Sequence, residues 1–207
     1  MALMTVKSGE TRKLPPKATV FDAGMGWDPA AGQAKSPDLD LWILRHHDNG
    51  SVDVISWANN ALHRPDLGSN SQGNPWIATP ELDVIHQGDD RTGAESATGY
   101  DEIAKFDLSK APATVAKYSV FGTIYDEKKE GLTLGMATNV KFGVTDQASG
   151  HTVETDPATS NSFDVTVALA TIDKGPDGSW SMTAIAEDKR GTGDDMFSVC
   201  KVLGASI

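Results

Sequence analysis

Asp38-Leu39-Asp40-Leu41-Trp42-Ile43-Leu44, then Arg45-His46-His47-Asp48-Asn49-Gly50, then Ser51-Val52-Asp53-Val54-Ile55-Ser56-Trp57 is the stretch that decides the fold. Residues 38–44 alternate with period two, so they form a strand. Leu39, Leu41 and Ile43 take one face, and Asp38, Asp40, Trp42 and Leu44 take the other. Asn49-Gly50 is the dipeptide favoured in a two-residue hairpin turn, because both central residues need positive φ. Residues 51–57 are then the return strand. Two aspartates at the head of an otherwise apolar face cannot be buried unpaired, so they belong at a sheet end, in water or on a metal.

Working outward, the same pattern recurs. Residues 82–87, 102–108, 115–125, 137–146, 163–172 and 180–186 all read as strands, as does the short stretch 151–154. Residues 18–23 form a strand that enters a turn at Gly24-Met25-Gly26-Trp27-Asp28-Pro29. Thr5-Val6-Lys7 and Arg12-Lys13-Leu14 are short edge strands flanking a turn at Ser8-Gly9. A helical turn is expected within residues 126–135. The last element is a helix, with Met196, Val199, Cys200 and Leu203 at helical spacing. Thr192 is its expected cap, with Asp195 three residues on, and Gly204 its stop. Many short strands with few helices predict a mainly β fold: a two-sheet β-sandwich with few short helices and a C-terminal helix. His63–Pro80 reads as an inserted loop rich in Pro, Gly, Ser and Asn, with Trp76 packing back onto the body.

Composition narrows the function. The chain has 207 residues, enough for one large β domain, and a formal net charge of −11 from 18 basic and 29 acidic side chains. That balance argues against nucleic acid and anionic membrane as partners, and it suits cations. The single cysteine, Cys200, excludes an intrachain disulfide. The N-terminus lacks the apolar core of a signal peptide, and no run approaches a membrane span, so a soluble, cytoplasmic protein is expected.

The chemistry concentrates in residues 86–102, which carry five carboxylates and three glycines. Alone, this stretch is either a solvated acidic loop or a calcium loop. Calcium takes many oxygen ligands in flexible geometry, and glycines let the backbone turn its carbonyls inward. Asp28, Asp38 and Asp40 lie at other strand ends, with Asn59 and Asn60 as neutral oxygen donors. If those ends coincide, Asp28, Asp38, Asp40, Asp89, Asp90, Asp101 and Glu102 would repel when bare and cohere around one or two calcium ions. His86 is placed to buttress the loop. Other chemistries fit less well. No His pair has zinc-protease spacing, and no phosphate-binding or nucleophile-elbow motif stands between a strand and a helix. Asp173–Gly178 imitates the start of an EF-hand, but its twelfth position is Ala184, so it is a hairpin turn.

The sequence resembles the TerD family of tellurium-resistance and stress-response proteins. The resemblance rests on Gly26-Trp27-Asp28, Asp38-Leu39-Asp40, Asn59-Asn60, His86-x-Gly88-Asp89-Asp90-x-Thr92-Gly93 and Asp101-Glu102, in order. Downstream it includes Asp107-Leu108-Ser109 with Pro112, Ile124-Tyr125-Asp126, and Ser198-Val199-Cys200 with Gly204. It implies a single β-sandwich domain over residues 1–207 that binds calcium through these loops, Thr92 and Gly93 included. It also implies no catalytic activity, a role in tellurite or other stress, and other stress-operon proteins as candidate partners. The chain departs from the family pattern at the 63–80 insertion, at Asp90 in place of Asn, and in a longer second half of the acidic loop, where Tyr100 replaces an Asp. These departures favour one calcium site over two. Two other readings stand beside this one: a metal-dependent hydrolase using paired aspartates, and an interaction protein whose 63–80 loop presents Trp76 to a partner.

Overall fold

In the computed structural model of the chain, the described residues are 4–5, 11–13, 19–29, 37–93, 99–125, 131–150, 152–155, 165–185, 191–192 and 195–205. The turn expected at Ser8-Gly9, the start of the strand at Phe163, and residues 94–98 of the acidic loop lie outside them, as do residues 126–130 of the expected helical turn.

The strands are β1 (Met4–Thr5), β2 (Thr11–Lys13), β3 (Val20–Pro29), β4 (Leu39–His47), β5 (Val52–Ile55), β6 (Ile77–Ala78), β7 (Val84–His86), β8 (Glu102–Asp107), β9 (Val115–Ile124), β10 (Ala137–Asp146), β11 (Thr152–Thr155), β12 (Thr166–Lys174), β13 (Trp180–Ala184) and β14 (Gly191–Thr192). Single 3₁₀ turns occur at Asn60–Leu62 and Leu134–Met136, and α1 (Met196–Val202) follows the last strand. One sheet has the order β1-β11-β10-β3-β8-β7-β6. The other has β2-β13-β12-β9-β4-β5, with β14 pairing β12. All pairs are antiparallel except β1 with β11.

The inner faces meet in one core. Phe21, Ala23 and Met25 of β3 and Ala104 and Phe106 of β8 face Leu39, Leu41 and Ile43 of β4 and Val120 and Ile124 of β9. Phe21 and Phe106 stack at 4.9 Å. Each such side chain contributes about 1.5–3 kcal/mol by leaving water, which makes the β-sandwich the favoured closure of these two sheets. The other face of β4 is dry as well. Trp42 and Leu44 pack with Val54 against Met196 and Cys200 of α1. Both faces of β4 are therefore covered, and Asp40 stands on the face that α1 shields.

The structure corrects several local expectations. Gly24–Pro29 is not a turn: β3 runs through it, paired with β8 on one side and β10 on the other. Gly24 is glycine because a Cβ there would come within 2.5 Å of the Tyr100 ring. The cap of α1 is Asp195, whose side chain accepts from the Ser198 N–H at 2.8 Å, while Thr192 is held in β14 opposite Thr166. The two N-terminal strands are edge strands as expected, but they lie in different sheets rather than in one hairpin. A register shift in β12 between Ala168 and Ala170 brings Leu169, Ala170 and Ile172 all into the core, so the alternation does not run straight through. Within 63–80, β6 joins the sheet edge opposite Ile85 and His86, and Ser69 bridges Pro75.

Candidate metal centre

Strand β5 pairs with β4 only from Ile43 to His46. Beyond that, the Leu41 N–H has no strand to receive it and donates instead to Glu102 Oε2 at 2.5 Å. Glu102 opens β8 in the opposite sheet, so its carboxylate ties the two sheets together at this end. Its Oε1 accepts from the Asp90 N–H at 3.2 Å, which brings the acidic loop to the head of β4. Asp38, Asp40 and Asp89 then present oxygens that all lie within 4.8 Å of one another.

Three like charges at that spacing are unfavourable in the bare protein. At an effective dielectric of about 20, each pair costs about 3.5 kcal/mol. Asp38 and Asp40 answer by becoming weaker acids. Burial, then the charge of Asp89, pushes Asp38 up to about 7. Burial, then Glu102, pushes Asp40 well above the ordinary carboxylate range. Glu102 is raised in the same way, by burial and then by Asp89. Asp40 is only 2% exposed, and its Oδ1 has no hydrogen-bond partner among the described residues, nor has Asp38 Oδ1. The Trp57 indole N–H lies close enough to favour the Asp40 anion slightly but outside hydrogen-bond geometry. A buried, unpartnered carboxylate oxygen is an acceptor without a donor, which a cation would satisfy. The donor set is all oxygen, which suits calcium or magnesium rather than zinc or copper.

His86 is buried behind this cluster. Its Nδ1 accepts from the Gly88 N–H at 3.2 Å, and its Nε2 lies 3.3 Å from Glu102 Oε2. Burial lowers its pKa to about 4, so it is neutral. That fits the buttress expected for it.

The 63–80 segment, read from sequence as an insertion presenting Trp76 to a partner, is laced to the acidic loop. Asn70 Nδ2 and Asn74 Nδ2 both donate to the Asp89 carbonyl, at 2.7 and 2.6 Å. Gln72 Nε2 donates to Asp90 Oδ1 at 2.9 Å, and the same oxygen accepts from the Thr92 N–H and Oγ1–H. Gly88 takes φ +99 beneath the Asn74 carbonyl, where a Cβ would approach to 2.9 Å. Three carboxamides at alternate positions were the available signal, and alternation in a loop carries no period to recognise. Trp76 is partly buried and covers Gly68 of its own segment.

Of the remaining expected ligands, Asp28 and Asp101 stand outside that group of converging oxygens. Asn59 Nδ2 donates to the Val54 carbonyl, and Asn60 is exposed in its 3₁₀ turn. Asp28 and Asp101 line a separate cavity of about 470 Å³ with Trp27, Gly93, Gly99, Asn139 and Lys141. Asp38 and Asp89 line a smaller one of about 100 Å³ with Trp57, Arg91 and Tyr125. Arg91 Nε reaches Asp89 Oδ2 at 3.0 Å, but its side chain is 67% exposed. Tyr100, at the family's aspartate position, is turned away: its ring covers Gly24 and Gly143, and its hydroxyl donates to Glu154 Oε2 at 2.8 Å.

A TerD-domain family model matches residues 2–198. The uncharacterized protein YceE of Bacillus subtilis (strain 168) is 26% identical over 199 residues, covering 94% of this chain and 93% of that protein. General stress protein 16U of the same organism is 28% identical over 185 residues, 86% of each. Among solved structures, a homologue of telluride resistance protein (TerD) from Streptomyces coelicolor A3(2) superposes with a TM-score of 0.67 at 16% identity, covering 91% of this chain and 99% of that one; it shares the fold. Motifs, architecture and the span of the family model agree, and the chain belongs to the TerD family.

Proposed function

We propose that this chain is a non-catalytic calcium-binding protein of a tellurite-resistance or general stress response, with the ion held by Asp38, Asp40 and Asp89. The observation that carries the reading is the buried, unpartnered Oδ1 of Asp40 within a cluster of three converging carboxylates. Asp90, Thr92, Gly93 and Glu102 shape the loop around that cluster. Calcium supplies the positive charge that lets Asp38 and Asp40 shed their protons. The absence of catalysis is supported by His86, the base a hydrolase would use: it is enclosed between Gly88 and Glu102, where no substrate reaches it. One domain over 1–207, a cytoplasmic location and partners among other stress proteins complete the proposal. The core shared by both sheets and the relative named general stress protein 16U support it. No helix among the described residues is long and apolar enough to cross a membrane.

The test is thermal unfolding of chelator-stripped protein with and without millimolar calcium. Ligand at a hundred times its dissociation constant adds about 2.7 kcal/mol. For a chain of this size that is about 5–10 °C in Tm. Asp89→Ala should abolish most of the gain. A wild type that does not move with calcium would sink the reading.

A further inference from the structure

The second acidic cavity differs from the first in one respect that decides what it can hold. At the Asp38 cluster, buried carboxylate oxygens lack donors. At the Asp28–Asp101 cavity, Asp28 is exposed and Asp101 half-buried, and one oxygen of each has a donor. Asn139 Nδ2 donates to Asp28 Oδ2 at 2.6 Å, and the Trp27 N–H donates to Asp101 Oδ2 at 2.9 Å. A β-bulge aims these groups. The pairing of β10 with β3 shifts register between Thr138 and Lys141, and Asn139 takes φ +50, a left-handed conformation that asparagine tolerates. The bulge carries Lys141 into the cavity wall. Burial first of all raises the Asp101 carboxyl, Asp90 and Asp28 add to the rise, and the Trp27 N–H and, more weakly, the Lys141 charge oppose it.

The lysine is held there by packing. A Cβ on Gly26 would come within 3.1 Å of Lys141 Cε, and one on Gly99 within 2.7 Å of Nζ. The ammonium lies 5.2 Å from the centroid of the Tyr100 ring, in reach of a cation–π contact. Arg91, the cation beside the first cluster, has no such enclosure and can swing into water. Tyr100 thus supplies a seat for a positive charge beside this cavity.

We propose that Lys141 is a built-in counter-cation for Asp28 and Asp101, so that this cavity does not take a metal ion and the chain binds calcium at the Asp38 cluster alone. The count of one rests on the calcium reading above; the role of Lys141 does not. A divalent ion entering the cavity would meet an ammonium in the same wall, and two carboxylates each with one oxygen already bonded.

The experiment is calcium stoichiometry by equilibrium dialysis on chelator-stripped protein, for wild type, Lys141→Met and Lys141→Gln. Both variants keep a long, unbranched stem and remove the charge, and circular dichroism reports whether each folds. Lys141→Arg keeps the charge. The expected ratios are one ion for wild type and Lys141→Arg, and two for whichever neutral variant folds. Adding Asp101→Asn to that variant should return it to one. Two ions in wild type, or no gain in either folded neutral variant, overturns the proposal. A wild type that binds none withdraws the calcium reading of the Asp38 cluster. One ion gained by a neutral variant would then still uphold the lysine, and none gained would overturn it.

Discussion

Calcium binding to this chain should release protons, and the number follows from the cluster. In the ion-free protein the folded carboxyls are weaker acids than in the unfolded chain. Asp38 is raised from 3.8 to about 7 by burial and by Asp89, so it is about half protonated at neutral pH. Asp40 is raised too, by complete burial and then by Glu102. A calcium ion needs both as anions. Binding at pH 7 should therefore expel about one to two protons per ion, and the dissociation constant should fall about tenfold or more for each pH unit between 6 and 7. The stability of the two forms should move oppositely. A group whose folded pKa is raised stabilises fully below its unfolded pKa, and that contribution disappears as pH rises through the folded value. The ion-free protein should thus weaken between pH 4 and 7. The Asp38 shift corresponds to about 4 kcal/mol in full, and to about 2 kcal/mol once its partial contact with water is allowed for. The calcium-loaded protein should instead strengthen over the same range. Titration calorimetry in buffers of different ionisation enthalpy counts the protons directly, and Asp40→Asn should lower the count. A binding heat independent of buffer, or an affinity flat from pH 6 to 7, would refute the coupling.

Three further outcomes follow from particular contacts. Asn70→Ala with Asn74→Ala removes both donors to the Asp89 carbonyl; at about 1 kcal/mol for each hydrogen bond, about 2 kcal/mol together, calcium affinity should fall by up to about thirtyfold in titration. Arg45→Met should cost about 3–5 kcal/mol in urea unfolding, because Arg45 is the cation for the fully buried Asp83 and also binds Asp53 and Glu81. Gly143→Ala would drive a methyl into the Tyr100 ring and break its bond to Glu154; about 1–3 kcal/mol should be lost in the same assay, and an unchanged midpoint would show that Tyr100 is not seated there.

Much of the architecture was legible because it repeats with a period. The Asn49-Gly50 pair marked the β4–β5 hairpin, although only Gly50 of the two takes positive φ. The turn closes with the Gly50 N–H donating to the His47 carbonyl, one residue longer than the two-residue form. Alternation assigned both faces of β4 and β9. Asp40 was legible for the same reason: alternation put a carboxylate on a face that had to be covered. What could not be read arises from contacts distant in sequence. The Arg45 network draws Asp53, Glu81 and Asp83 to one guanidinium, and no local pattern announces that meeting. Thr192 and Asp195 are equally good caps on paper, and the pairing of β14 with β12 settled the choice. Gly24 and Gly26 looked like turn residues, because glycine signals both a bend and a flat place for another chain to lie, and only the position of Tyr100 distinguishes the two.

Strand β4 carries the acidic cluster at its head and Arg45 near its foot, about 17 Å apart at strand spacing. Arg45 fastens the foot by charge, and under the proposed calcium function a removable ion fastens the head. Losing the ion would release the head while Asp83 and Tyr118 still hold the foot, their carboxylate and hydroxyl joined at 2.6 Å. The protein is therefore built to loosen from one end. Amide exchange should quicken around residues 86–93 and at Leu41, and stay slow at Leu44 and Arg45, so that calcium withdrawal reads as a gradient along a single strand rather than as unfolding.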